Sequence, residues 1–169
     1  ETMSEMIEIT LPDGGKMEVP EGTSVRDLAA MIGRGLGKAV VAGKIDGRIV
    51  DQRFELTEPC AVEILTAEDP ESLEVLRHSA AHLMAMAVQR VRPGTGLAFG
   101  PSVEDGFYYD FDAAEAFREE DFAAIEKEMR RIVKEDLPYE RYEASKEDAR
   151  RILSEMGEEL KVEHLDDIR

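Results

Sequence analysis

Met6-Ile7-Glu8-Ile9-Thr10-Leu11-Pro12-Asp13-Gly14-Gly15-Lys16-Met17-Glu18-Val19 determines how the first part of this chain folds. Met6–Leu11 and Lys16–Val19 each alternate apolar and polar side chains, the period of a half-buried strand. Pro12-Asp13-Gly14-Gly15 between them supplies hairpin residues. Working outward, Thr23 or Ser24 caps a helix carrying Val25, Leu28, Ala29 and Ile32 on one face, and Gly33 ends it. Ala39–Ala42 reads as a short buried strand, and Lys44–Val50 as a strand pair turning at Asp46-Gly47. Ala61–Leu65, rich in β-branched residues, is a last strand. The order ββαβββ predicts a β-grasp (ubiquitin-like) domain over residues 1–67, a mixed sheet with one helix packed across it. Another small α+β sheet is the competing reading.

The pattern changes at Ala67-Glu68-Asp69-Pro70, an acidic, proline-marked junction, so a second domain is expected over residues 68–169. Glu71 to about Arg92 is helical in type. A strand around Leu97–Phe99, a turn at Glu104-Asp105-Gly106 and the aromatic strand Phe107–Phe111 follow. A second long helix spans 119–136, with Phe122, Ile125, Met129, Ile132 and Val133 as its core stripe. Tyr139–Ala144 reads as a strand. Ser145 and Asp148 form a capping box for a helix that stops at Gly157, and Leu160–Leu165 reads as a further strand. The fold class is α+β: a β-grasp domain, then an α+β domain with a long histidine-bearing helix and a mixed or antiparallel sheet.

Composition narrows the function. The chain has 169 residues, 43% of them hydrophobic, and a net charge of −17. No apolar run reaches the roughly 18–20 residues that span a bilayer, so no membrane association is expected. Cys60 is the only cysteine, which excludes an internal disulfide and suits a reducing, cytoplasmic setting. Residues 1–67 carry a net −5 and residues 68–169 a net −12, so neither part is a generic nucleic-acid-binding surface. A protein that grips one RNA end locally remains compatible with this charge.

Within the helix from Glu71, residues Leu76, Ala80, Leu83, Ala87 and Val91 form one apolar stripe. His78 and His82 lie on the other side near Ala85 and Gln89, a face of small, weakly polar residues. Two imidazoles one turn apart can move protons near neutral pH or hold a metal. The metalloprotease signature requires Glu where Ser79 stands, and no third ligand is evident, since Cys60 lies in the other domain and His164 far along the chain. A zinc-dependent hydrolase is therefore disfavoured, and purely structural histidines are the bland alternative.

The surrounding residues go further. Arg77-His78-Ser79-Ala80-Ala81-His82-Leu83 resembles the histidine motif of the threonyl-tRNA synthetase editing domain. Gly100-Pro101 with Asp105-Gly106-Phe107-Tyr108-Tyr109-Asp110 resembles that family's glycine–aromatic strand, and Gly157–Val162 is a weaker third match. Ile9-Thr10-Leu11-Pro12-Asp13-Gly14 resembles the start of the TGS domain that opens these synthetases. The resemblance implies the amino-terminal part of a threonine–tRNA ligase, with a module that hydrolyses serine mischarged onto threonine tRNA. It implies that His78 and His82 are catalytic, that Tyr109 lines the pocket, and that Lys161 contacts the adenosine end or developing negative charge. It implies tRNA, through its 3′ acceptor end, the threonyl and seryl groups, and the remaining synthetase domains as partners, with a homodimeric parent. It implies no cofactor in this chain, ATP, magnesium and zinc belonging to the parent's catalytic core. The chain departs from the family where a cysteine and another histidine would complete the editing pocket beyond Arg169, so a truncated editing domain is expected. A non-catalytic TGS-type RNA-binding or regulatory module is the alternative.

Overall fold

The computed structural model describes residues 5–138 and 142–165. The chain falls into two compact units that part between Leu76 and Arg77.

The first unit contains β1 (Met6–Thr10), β2 (Lys16–Pro20), β3 (Thr23–Ser24), α1 (Val25–Ile32), α2 (Arg34–Ala39), β4 (Val40–Ile45), β5 (Arg48–Asp51), β6 (Glu55–Leu56) and β7 (Cys60–Thr66). Five strands form one sheet in the order β2-β1-β7-β4-β5. β1 and β7 run parallel, whereas β1/β2, β4/β7 and β4/β5 are antiparallel. This is the expected β-grasp arrangement. The alternation in Met6–Val19 has its physical basis here: Ile7, Ile9 and Val19 point inward onto Leu28, Leu56 and Val62, while Glu8 and Glu18 face solvent. α1 lies so close to the sheet that a Cβ on Gly43 would sit 2.7 Å from Val25 Cγ1. The β4–β5 turn places Asp46 and Gly47 both at positive φ, the backbone of a tight two-residue hairpin.

Ser24 caps α1 as expected, its hydroxyl accepting from the Asp27 N–H at 3.1 Å. Ser24→Ala is expected to cost about 1 kcal/mol. The urea transition followed at the amides of residues 7–66 checks it, and an unchanged midpoint would show that the cap contributes nothing.

α3 (Pro70–Val91) is continuous across the boundary between the units. Pro70 occupies its first position, where a missing N–H costs nothing. The sequence break at 67–68 marks the end of the strand pattern, but the first turns of α3 stay with the first unit. Lys44 Nζ pairs with Glu71 at 2.9 Å, and the buried Ser72 hydroxyl donates to the Asp69 carbonyl at 2.8 Å.

The second unit adds β8 (Gly96–Leu97), β9 (Ser102–Val103), β10 (Gly106–Phe107), β11 (Phe111–Asp112), α4 (Glu119–Glu135), α5 (Lys146–Glu155) and α6 (Glu159–His164). Its strands make one long hairpin, β8 pairing with β11 and β9 with β10. Ala87 and Val88 of α3 pack on Ile125 and Ile132 of α4, with Met129, Phe111 and Phe117 around them. Two members of the expected α4 stripe, Phe122 and Val133, are exposed, because the buried seam is narrower than the apolar face. Ser145 caps α5, accepting from the Asp148 N–H at 3.1 Å.

Leu160–Leu165, expected as a strand, lies within and just after helix α6. The alternation Leu160-Lys161-Val162-Glu163 is too short to separate the two periods. The Glu158 carbonyl accepts from the N–H groups of both Lys161 and Val162, and these bonds set the helix. The expected strand at Tyr139–Ala144 begins outside the described residues, and Tyr142–Ala144 are not in a strand. No described helix is long and apolar enough to cross a membrane.

Candidate active site

His78 and His82 leave α3 on one side, one turn apart. His82 Nε2 lies 3.0 Å from His78 Nε2, and the rings meet edge to face with centroids 4.5 Å apart. Two facing Nε2 atoms form a hydrogen bond only if one carries a proton and the other a lone pair. Protonating both would set two N–H groups head to head, so the contact suits one proton shared between the facing nitrogens. Ala81 and Ala85 beside the histidines are buried, so small side chains close that part of the helix face. Leu76, expected to begin the apolar stripe, is 38% exposed.

The hairpin brings Tyr109 to the pair. Its ring lies 6.4 Å from that of His82 and stacks on Phe111 at 5.0 Å, and Phe111 meets Phe117 edge-on at 5.5 Å. Tyr109 is therefore rooted in the core of its unit. Leu97 pairs with Phe111 but Ser102 pairs with Phe107, so the register slips by one residue. The Ala98 N–H donates to the Asp110 carbonyl and the Asp110 N–H to the Phe99 carbonyl, which puts the slip at Ala98-Phe99 opposite Asp110. Such a bulge re-aims side chains. Here it lays the Tyr109 ring over Gly100, where a Cβ would sit 2.1 Å from Tyr109 Cδ2.

α6 supplies the third wall. Lys161 Nζ lies 3.2 Å from Glu158 Oε2. Glu158 is buried, and its Oε1 accepts from Gln89 Nε2 on α3 at 3.3 Å. The four expected residues His78, His82, Tyr109 and Lys161 thus lie in the second unit on three elements joined by these contacts. Glu158 and Gln89 are additions. No sequence period marks Glu158, and only its spacing of three from Lys161 hints at the pair.

The electrostatics follow from this packing. Burial, then the neighbouring His78 charge, then Lys161 hold the His82 imidazole below its ordinary pKa. Burial, reinforced by the Glu158 charge, pushes the Tyr109 phenol up from its usual 10.0. At neutral pH the His82 ring is therefore neutral and the Tyr109 phenol protonated. Among the described residues, no group of three or more His, Cys, Asp or Glu is placed to hold a metal ion. His164 lies against Phe99 instead, ring centroids 4.7 Å apart. Cys60 belongs to the first unit, where burial raises its thiol pKa. A groove lined by Thr10, Pro12, Lys44, Gly47 and Glu63 also belongs to the first unit, so concavity and chemistry select different places.

The sign of the His82 shift predicts a pH response. A depressed folded-state pKa means that the unfolded chain takes up the proton first. The stability His82 contributes is therefore complete above the unfolded value of about 6.5 and is lost as pH falls through the folded value. Imidazole titration by NMR is expected to give His82 a midpoint below that of a histidine peptide. A midpoint at or above the peptide value would contradict the partial desolvation of this ring.

Residues 7–66 match the TGS domain. Over 166 residues, 98% of its length, the chain is 48% identical to threonine–tRNA ligase of Geobacillus sp. (strain WCH70). It is 48% identical over 162 residues to the ligase of Geobacter sp. (strain M21), and 44% identical over 163 residues to that of Thiobacillus denitrificans. The last two alignments each cover 96% of this chain. All three cover 26% of the relative, so the chain spans about a quarter of the length of the curated relatives it matches. The chain carries a TGS domain and is similar over nearly its whole length to the N-terminal region of threonine–tRNA ligases.

Proposed function

We propose that the second unit is an editing hydrolase that cleaves the ester joining serine to the 3′-terminal ribose of mischarged threonine tRNA. The observation that carries this reading is the 3.0 Å Nε2–Nε2 contact between His78 and His82, with Tyr109 and Lys161 on the adjoining elements. A pocket for threonine rejects a smaller analogue by only about 10–200-fold, so the parent ligase gains from a second, hydrolytic site.

Neutral His82 accepts a proton as water attacks the ester carbonyl carbon. The Lys161 ammonium offsets the negative charge that develops on the carbonyl oxygen. The bond from that carbon to the ribose oxygen then breaks, and the proton passes through the imidazole pair to the departing oxygen. The products are free serine and a ribose hydroxyl; the new serine carboxyl gives its proton to solvent at neutral pH, and the imidazole pair returns to its starting protonation. The protonated Tyr109 hydroxyl is a donor for the polar groups of the aminoacyl end.

The test is release of labelled serine from seryl-tRNA by the purified chain and by a full-length ligase that contains it, beside threonyl-tRNA as control. Release of serine above the spontaneous rate, with threonine retained, is expected. Binding of both tRNAs without hydrolysis of either would favour the alternative suggested by the TGS match, a non-catalytic RNA-binding module.

A further inference from the structure

Glu158 is the buried charge that this proton scheme does not use. Its carboxylate is divided between two helices. Oε1 accepts from Gln89 Nε2 at 3.3 Å, and Oε2 lies 3.2 Å from Lys161 Nζ. Gln89 sits on α3, about two turns beyond His82, and its amide also reaches the Thr95 carbonyl at 3.5 Å. Lys161 sits on α6 with its side chain one-third exposed. A lysine on a flexible four-carbon stem would otherwise spread its charge over a wide arc. A carboxylate that is 9% exposed cannot release either partner cheaply, because the group left behind would be stranded.

We propose that Glu158 is a positioning residue, tethering Lys161 to α3 through Gln89 so that the ammonium stays on the His82 side of the site. Its catalytic consequence rests on the hydrolytic reading above, but the tether itself does not. The charged and titratable groups around His82 are His78 on its own helix, Tyr109 on the hairpin and Lys161 on α6. Lys161 depresses the His82 pKa and the Glu158 charge raises that of Tyr109, which agrees with a carboxylate lying between α6 and the hairpin.

The test is a double-mutant cycle on the intact chain, read as the His82 titration midpoint by NMR. Lys161→Met is expected to move the midpoint up, because a neighbouring positive charge is gone. If Glu158 is a tether, Glu158→Gln frees the lysine and also moves the midpoint up, and adding Lys161→Met to it then changes little. If Glu158 is merely a nearby negative charge, Glu158→Gln moves the midpoint down, and the proposal is overturned. Should Glu158→Gln fail to fold, Gln89→Ala cuts the link to α3 while keeping the charge pair. An upward shift there supports the tether and an unmoved midpoint overturns it. Seryl-tRNA hydrolysis is followed on the same samples. A cycle of the expected sign, with no serine released even when the same region sits in the full-length ligase, would refute the hydrolase reading and leave the tether standing. The reverse result would refute the tether alone.

Discussion

His82→Ala is expected to lower serine release from seryl-tRNA by about 10²–10⁴-fold while leaving the fold intact, the range over which a positioned acid–base group acts. The substitution removes one end of the Nε2–Nε2 contact, so His78 loses the nitrogen it faces. Both histidines are exposed at the residue level, so truncation opens no large buried cavity. The comparison is made in this chain and in a full-length ligase carrying the same change. An unchanged rate in both would mean that the imidazole pair carries no proton in the reaction.

The second large effect is expected at a residue with no side chain. Gly100→Ala places a methyl group 2.1 Å from Tyr109 Cδ2 and 2.7 Å from its Cγ, so the ring must move. That ring is stacked on Phe111, and shifting it disturbs a packed seam, at a cost of about 1–3 kcal/mol. Displacing a pocket-lining ring by about 1 Å costs on the order of 10²-fold in rate. Tyr109→Ala should abolish most of the stability penalty of Gly100→Ala, because the atoms nearest the added methyl all belong to the Tyr109 ring. If Gly100→Ala costs as much stability without the tyrosine ring as with it, the slot is not what the glycine provides.

The fold is legible in the sequence wherever local chemistry and tertiary packing agree. The turn residues Pro12–Gly15 and Asp46-Gly47 punctuate the strands they join, and Ser24 and Ser145 cap the helices their spacing announces. Helix α2 is not legible in this way. Arg34-Gly35-Leu36-Gly37-Lys38-Ala39 carries two glycines that disfavour a helix by roughly 1 kcal/mol each. It forms because Gly37 lets the backbone press against Ala30, where a Cβ would lie 2.7 Å from Ala30 Cα. That reward is tertiary and leaves no period in the sequence. The same holds for Lys161, expected on a strand and found on helix α6.

At the site, spacing alone places the two imidazoles on one face, and resemblance to a family supplies their substrate. Neither reveals that the two Nε2 atoms face each other, which depends on rotamers. Nor do they reveal that Glu158 joins α6 to α3, since the carboxylate and Gln89 are brought together only by the fold. The bulge at Ala98-Phe99 is another feature of register. A run of residues carries no mark of which of them will be skipped when strands pair.

The most direct measurement is the single-turnover rate of serine release from seryl-tRNA by a full-length ligase containing this region, as a function of pH. The rate is expected to rise with one proton lost, through a midpoint below the ordinary imidazole value of about 6.5, to a plateau at neutral pH. This limb is expected to disappear in His82→Ala. A rate that never exceeds spontaneous hydrolysis, or a limb that His82→Ala leaves in place, would contradict a proton-carrying role for the imidazole pair.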